Sequence, residues 1–481
     1  MSLSGALLNA ISGLSAAKRG TELTASNISN ANTKGYGKKS AILMARLGSG
    51  GVDVLGVKRF QDAGLLSDRR LASAGLENSD AKQLFLKKIL NLFGTADKNG
   101  SLSAHLSRFE SALVSAVSNP SQSISLQNVF TAARELAEKL NQMSQKVQAA
   151  RETADQKITS QVKTLTSALN TVKDLNDRIL KLKLNNKDTS TLEDQRQKQI
   201  DDISDIIPIR EVPKKNGTVS LVSLGGTTLL ATKPAEILFE PSVVITADMS
   251  RKNGLLSGLK INGTDIALNE KGPVRGGSLA AQFAIRDELA QAVQTELDAA
   301  ARDLIKRFQS SSVDATLTAA DPGLFTDAGA VLDPTKEVGL ARQITINARV
   351  DPDNGGNLFR LRDGLMSKVP GTVGDTKTLK AMQDIMSEKQ TLASGKFATQ
   401  SHSLATLSTA ILSSLGSDLM AEERQNEYRV SALTQLRELE KDGAVDTDEE
   451  AQKMLILEHS YKANARMIKT IDEMLQTILR I

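Results

Sequence analysis

Residues able to do chemistry are sparse in this chain of 481 residues. Cysteine is absent, which removes disulfides, thiolate metal sites and cysteine nucleophiles together. The three histidines, His105, His402 and His459, stand too far apart for a spaced ligand motif, and none has a neighbouring Cys or His. Asp97-Lys98-Asn99-Gly100 invites a calcium reading. In an EF-hand register, however, Thr95 takes the first ligand position and Leu106 the last, so the leading carboxylate and the bidentate glutamate are both missing. A turn between helices is expected there instead. Gly225-Gly226 and Gly276-Gly277 lack the spacing and the lysine of a phosphate-cradling loop. No Gly-x-Ser-x-Gly elbow occurs. No catalytic residue, cofactor site or metal ligand is therefore nominated, and an enzyme is not expected.

The composition points the same way. Sixty basic residues against 56 acidic ones leave a net charge of +4, too weak a field to argue for nucleic acid. Tryptophan is absent and aromatic residues make up 3%, so stacking platforms are few. No run of about eighteen apolar residues stands in the sequence, and membrane insertion is not expected. The opening MSLSGALLNAISGLSAAKRG lacks the basic n-region of a secretory signal, since its first positive charge is Lys18. What is abundant, Ala, Ser, Thr, Leu, Lys, Asp and Gln, belongs to long packed helices.

With no reaction to position, the elements themselves carry the information. There is no glycine between Gly100 and Gly217 and no proline between Pro120 and Pro208, whereas nine of the ten prolines fall from Pro208 to Pro370. This predicts helix, then a β- and loop-rich middle, then helix again. In the first helical block Val129, Ala133, Leu136, Leu140, Met143, Val147, Ala150 and Ala154 alternate steps of four and three. After Ile158 the stripe resumes through Val162, Leu165, Leu169, Val172, Asn176 and Ile179, and the extra step of four is a stutter. A helix over about 125–184 would be a rod roughly 90 Å long. Leu279–Phe308 and Ser403–Leu439 are expected to pack beside it. In the middle, IIPIREV, TVSLVSL, EILFE, SVVITAD and LLSGLKI read as strands, with hairpin turns at Lys215-Asn216-Gly217 and Asn262-Gly263. Irregular strands from 321–374 are expected to join this unit.

The two ends mirror each other. Leu3, Leu7, Ala10, Leu14, Ala17, Thr21, Thr24 and Ile28 form one four-three seam, and Met454, Leu457, Tyr461, Asn464, Ile468, Ile471, Leu475 and Ile478 form another. Thr447 and Glu450 read as a capping box for the last helix. After the first helix comes NISNANTKGYGK, rich in turn formers, in which Gly35 is free to take positive φ and the asparagines to bond local backbone. The N-terminal seam holds only four large apolar residues, Leu3, Leu7, Leu14 and Ile28. That is little to set against the ordering of a long helix. Both ends are therefore expected to be disordered in a lone chain and to order when other subunits surround them.

Together, the loop and the paired seams resemble the bacterial flagellar axial proteins: rod, hook and hook-associated proteins. The N-terminal pattern stands here as Asn27, Ile28, Ser29, Asn30, then Asn32, Thr33, Lys34, Gly35, Tyr36. The closing helix is similar to the matching end motif at Tyr461, Ala463, Asn464, Ala465 and Ile468. Rod and hook proteins turn quickly from the terminal helix into β structure, whereas the long helical block here resembles the hook-associated branch. Further patches that are similar are RRLASAGLENSDAKQLFLKKILNLFG, LEDQRQKQIDDIS and GGSLAAQFAIRDE. Gly37-Lys38 stands where the family often has Ser-Arg, and Gln197 where Asp is usual.

The resemblance implies a mainly α fold with a β-rich insertion: terminal helices paired as a coiled coil, a long helical bundle and an outer antiparallel β domain. The expected divisions are 1–60 with 440–481 as the inner-tube domain, 61–205 with 275–439 as the rod (321–374 an irregular excursion), and 206–274 as the outer domain. It implies a structural protein of the bacterial flagellum that joins hook to filament by axial self-assembly, exported without a cleaved signal. A hook or distal rod protein, or a cytosolic helical signalling scaffold, are the alternatives. The implied partners are copies of the chain in a ring, the hook protein, a second hook–filament junction protein and a cytosolic export chaperone. The assembly residues it implies are Leu3, Leu7, Leu14, Asn27, Ile28, Asn30, Thr33, Gly35 and Tyr36 at one end. At the other end they are Leu457, Tyr461, Asn464, Ile468, Ile471, Leu475 and Ile478, with a chaperone role as well.

Overall fold

The computed structural model describes residues 3–33, 35–46, 50–95, 97–268 and 272–480; Lys34 of the loop motif lies outside them. The chain opens with helix α1 (Leu3–Asn30) and a hairpin of β1 (Lys39–Ala45) and β2 (Val52–Arg59). Four helices follow: α2 (Ala63–Phe93), α3 (Leu102–Ser118), α4 (Ser123–Leu184) and α5 (Ser190–Ile206). The middle holds β3 (Ile209–Pro213), β4 (Val219–Ser223), β5 (Thr228–Leu230), β6 (Ile237–Leu238), β7 (Lys260–Ile261) and β8 (Thr264–Asp265). Next come α6 (Gly277–Ala284), a π-helical turn (Ile285–Leu289) and α7 (Ala290–Phe308). An irregular stretch carries β9 (Phe325–Asp327), α8 (Leu340–Gln343), β10 (Ile344–Ile346), α9 (Arg360–Asp363), α10 (Lys377–Ser387), β11 (Gln390–Thr391) and β12 (Ser401–His402). Two long helices, α11 (Leu404–Asp442) and α12 (Thr447–Leu479), end the chain.

The stripe read in the sequence is the buried face of α4, a helix of 62 residues. At 1.5 Å per residue it is about 93 Å long. All of its stripe residues are buried except Ala150, which is half-buried. The stutter has a structural counterpart. Val129 to Ala154 lie in one core with α3, α7, α10 and the start of α11, where the rings of Phe109, Phe308 and Phe325 meet tilted or edge-to-face with centroids 5.2–5.6 Å apart. From Ile158 the stripe enters a second core with α5, α6 and the β unit. At the changeover the facing helix also loses its regular period, in the π turn, and the buried pair Arg286–Asp155 joins the two at 2.6 Å.

Helix α11 departs from the expected place. Only its first turns meet α4, where Leu404, Leu407 and Ile411 join the core. The rest runs antiparallel along α2, held by Lys87–Glu423, by Arg69–Glu440 and by Arg429, which donates to the Gly75 carbonyl. A window in Leu404–Leu479 reaches a mean hydropathy of 1.2, enough by length and composition to cross a membrane. Its apolar side, Leu404, Leu407, Ile411, Leu415 and Leu419, faces the rod core.

In the β unit, β3-β4-β5 and β6-β7-β8 form two three-stranded antiparallel sheets. Asn262 and Gly263, at φ 52° and 77°, make the tight turn between β7 and β8. SVVITAD is not a strand. Its backbone amides are taken by α4 instead, Ser242 by Asp155 and Ile245 by Glu152, and Val243 is left 97% exposed. The strands of 321–374 do not extend this unit either: β9 pairs with β10 alone, and Phe325 fills the rod core. The β1–β2 hairpin directly after α1 was not foreseen, although apolar runs on either side of a glycine-rich stretch of sequence announce it. Helix α1 therefore enters β structure at once, as rod and hook proteins do in the resemblance, and the helical block begins only at α2.

Candidate functional site: the junction of the two chain ends

Helices α1 and α12 lie antiparallel, and small residues bring their backbones together. A Cβ on Gly13 would stand 2.7 Å from Asn464 Oδ1, and one on Gly20 would stand 2.8 Å from Leu457 Cδ2. Seven residues further along, Asn27 meets Glu450, with Nδ2 donating to Oε2 at 2.8 Å. Each step of seven along α1 is thus matched by a step of seven back along α12. The seam runs through Ala10, Gly13, Ala17, Gly20, Thr24 and Asn27, one residue away from Leu14, Thr21 and Ile28, which are half-buried at its flank. The displacement has a steric cause: with Asn464 and Leu457 of α12 filling the contact, α1 has no room there for a large side chain.

Asn27 is fully buried and uses its whole hydrogen-bonding capacity. Nδ2 also donates to the Lys39 carbonyl at 2.9 Å, while Oδ1 accepts from Lys39 N at 3.0 Å and from Tyr36 Oη at 2.9 Å. One side chain therefore ties α1, the loop, β1 and α12 together. Gly35 takes φ 83°, Asn30 donates to the Ser26 carbonyl, and Thr33 donates to Asn30 Oδ1, so the loop motif closes on itself.

Glu450 is 0% exposed and serves no capping box. Asp446 caps α12 by accepting from Asp448 N and Glu449 N, because the carboxylate one residue ahead of Thr447 reaches both free amides. Glu450 Oε1 lacks a hydrogen bond but lies 3.6 Å from Lys38 Nζ and 3.8 Å from Lys453 Nζ. The Lys38 ammonium bonds Glu449 at 2.7 Å, and that bond holds Lys38 above the usual lysine range. Beneath the loop, Asp194 of α5 accepts from Lys39 Nζ at 2.8 Å, Arg59 Nε at 2.6 Å and Gly37 N at 3.2 Å, joining this end to the rod.

Of the C-terminal residues nominated, Ile471 is buried and Leu457, Asn464 and Ile468 are half-buried, whereas Tyr461, Leu475 and Ile478 are exposed. Leu3 and Leu7 are half-buried. Gly13, Gly20, Glu450, Lys39 and Asp194 were missed; the heptad spacing of Gly13, Gly20 and Asn27 was the available signal. Around the seam, Leu8 and Ile11 on α1, Leu43 and Leu55 on the hairpin, and Ile456, Met467 and Met474 on α12 are exposed. Such apolar surface marks an interaction site. Among the described residues no group of three or more His, Cys, Asp or Glu is placed to hold a metal.

Comparison with known proteins identifies the parts. The family profile "Flagellar hook-associated protein FlgK helical domain" matches residues 86–316. "Flagella basal body rod protein" matches 7–36, and "Flagellar basal body rod FlgEFG protein C-terminal" matches 444–481. Flagellar hook-associated protein 1 of Bacillus subtilis (strain 168) is 23% identical over 508 residues, covering 97% of this chain and 96% of that protein. Its namesake in Salmonella typhimurium is 28% identical over 259 residues, 52% of this chain and 46% of that protein. The chain thus matches less than half the length of the Salmonella relative. The flagellar hook junction protein FlgK from Burkholderia pseudomallei overlaps with a TM-score of 0.44 at 16% identity, over 54% of this chain and 46% of that one.

Proposed function

We infer, from a chain that belongs to the flagellar hook-associated protein 1 family, that it is a structural junction protein joining the flagellar hook to the filament by axial self-assembly. One observation carries this reading: end segments matched by two different flagellar rod profiles fold onto each other as a single antiparallel pair, with the FlgK helical domain between them. The parts divide as 1–60 with 440–481 for the inner tube, 61–205 with 275–439 for the rod, and 206–274 for the outward β domain.

The finer assignments are ours. Copies of the chain form a ring, stacked between the hook protein and a second junction protein. The exposed apolar groups of α1, α12 and the hairpin, Tyr461, Leu475 and Ile478 among them, meet neighbouring subunits there. Before assembly the same α12 face is shielded by a cytosolic chaperone, and the chain leaves the cell without a cleaved signal. It has no catalytic role. Electron microscopy of a deletion strain tests the function: hooks lacking filaments are expected, and normal filaments would refute it. Removal of residues 454–481 should abolish both chaperone binding and filament attachment.

A further inference from the structure

We propose that the Asn27–Glu450 contact is a register lock: it admits one antiparallel alignment of the two chain ends and rejects alignments slipped by a heptad. This rests on the reading of the paired ends as the assembling part. The seam needs such a device because most of its contact residues on α1 are small. Ala10, Gly13, Ala17 and Gly20 present nearly uniform surfaces, so packing alone discriminates poorly among shifts of seven. A single buried polar contact is the established means of specifying register in helix pairs.

The geometry makes the lock stringent. Asn27 is 0% exposed and has every donor and acceptor engaged, and Glu450 is 0% exposed on the facing helix. A slip that brings Leu457 opposite Gly13 places Glu450 opposite Gly20, a residue with no side-chain donor, and leaves Asn27 beyond the first turn of α12. The opposite slip sets Asn27 against Leu457 and strands its amide. Either error leaves buried polar groups unpaired. The lock also reports its state: the Asn27 side chain that meets Glu450 clamps both backbone groups of Lys39, whose ammonium reaches Asp194 on the rod. Correct pairing of the ends and seating of the hairpin base are thereby one event.

The absence of cysteine allows a clean test in the full-length chain, at concentrations where copies assemble and order the ends. Gly13→Cys with Asn464→Cys reports the native register, and Gly13→Cys with Leu457→Cys reports the slipped one, each closed in a glutathione redox buffer. The native pair should close at least about tenfold more completely, as an unpaired buried polar group implies. Adding Asn27→Leu with Glu450→Leu should bring the two within about threefold. Glu450→Gln keeps an oxygen for the Asn27 amide and should retain the preference, which separates loss of the lock from loss of folding. No preference in the native chain, an unchanged preference in the leucine pair, or a glutamine variant as relaxed as the leucine pair overturns the proposal. Swimming of the leucine-pair strain tests the reading beneath it. A relaxed register with normal swimming supports the lock and counts against the paired ends as the assembling part.

Discussion

Asp298 is a buried carboxylate with no ion-pair partner among the described residues. It accepts from Gly339 N, Ala341 N and Gln294 Nε2, all at 2.8 Å, and so fastens α8 to α7. Burial raises its pKa to about 6, and those three bonds, which favour the ionised form, offset only part of the cost. Because the folded value lies above the unfolded one, Asp298's contribution to stability is full below about pH 3.8 and is lost as pH rises through about 6. The stability difference between the native chain and Asp298→Asn, followed by urea unfolding from pH 4 to pH 7, should therefore shift against the native chain as pH increases. Gly35 offers a second residue-scale check. A Cβ there would touch nothing within 4 Å, so the cost of substitution comes from φ 83° alone. Gly35→Val should destabilise the loop by about 1–3 kcal/mol. Gly35→Asn should cost less, since asparagine tolerates the left-handed region. Limited proteolysis around residues 30–40 reads the difference.

At the scale of elements, the joint between rod and β unit is electrostatic where the stripe changes partners. Arg286 lies between Asp155 and Asp287 and also donates to the Ser257 carbonyl. Nearby, Arg151 donates to the carbonyls of Thr246, Met249 and Arg286. Removing Asp155 takes one of the two carboxylates from Arg286 and leaves the Ser242 amide without its acceptor, and Asp155→Leu should cost about 1–3 kcal/mol. Asp155→Leu with Arg286→Met should cost less than the sum of Asp155→Leu and Arg286→Met alone, because the two residues share one contact. Denaturant unfolding of the three variants decides this. In the terminal pair, Gly20→Leu drives a branched side chain into Leu457 and should separate α1 from α12. The expected result is loss of filament attachment with the far-UV signal of the rod retained.

For the whole molecule, the pair of ends and the rod differ in kind. The rod core is filled by large side chains, Phe109, Leu113, Phe130, Leu136 and Phe308 among them. Helices α1 and α12 bury Ala10, Ala16, Ala17 and a few polar residues, with Leu23 and Ile471 as their large buried apolar groups among the described residues. Burying few large groups yields little against the cost of ordering two long helices. Amide hydrogen exchange on the dilute chain should show fast exchange at 3–30 and 447–479 and strong protection in α4. Strong protection at 3–30 would reject the expectation that neighbours order the ends.

What could be read without coordinates was whatever repeats along the chain. The α4 stripe and its stutter, the tight turns at Gly217 and Asn262-Gly263, and the matched motifs at either end were all legible, because helical period and turn chemistry are local. Tertiary structure alone decided which elements face one another. It moved the terminal seam onto Gly13, Gly20 and Asn27, turned Glu450 from an expected cap into a buried partner, and gave the amides of SVVITAD to acids on α4. Those outcomes depend on how closely two backbones approach and on which buried polar group finds a partner, and both are settled by residues hundreds of positions apart.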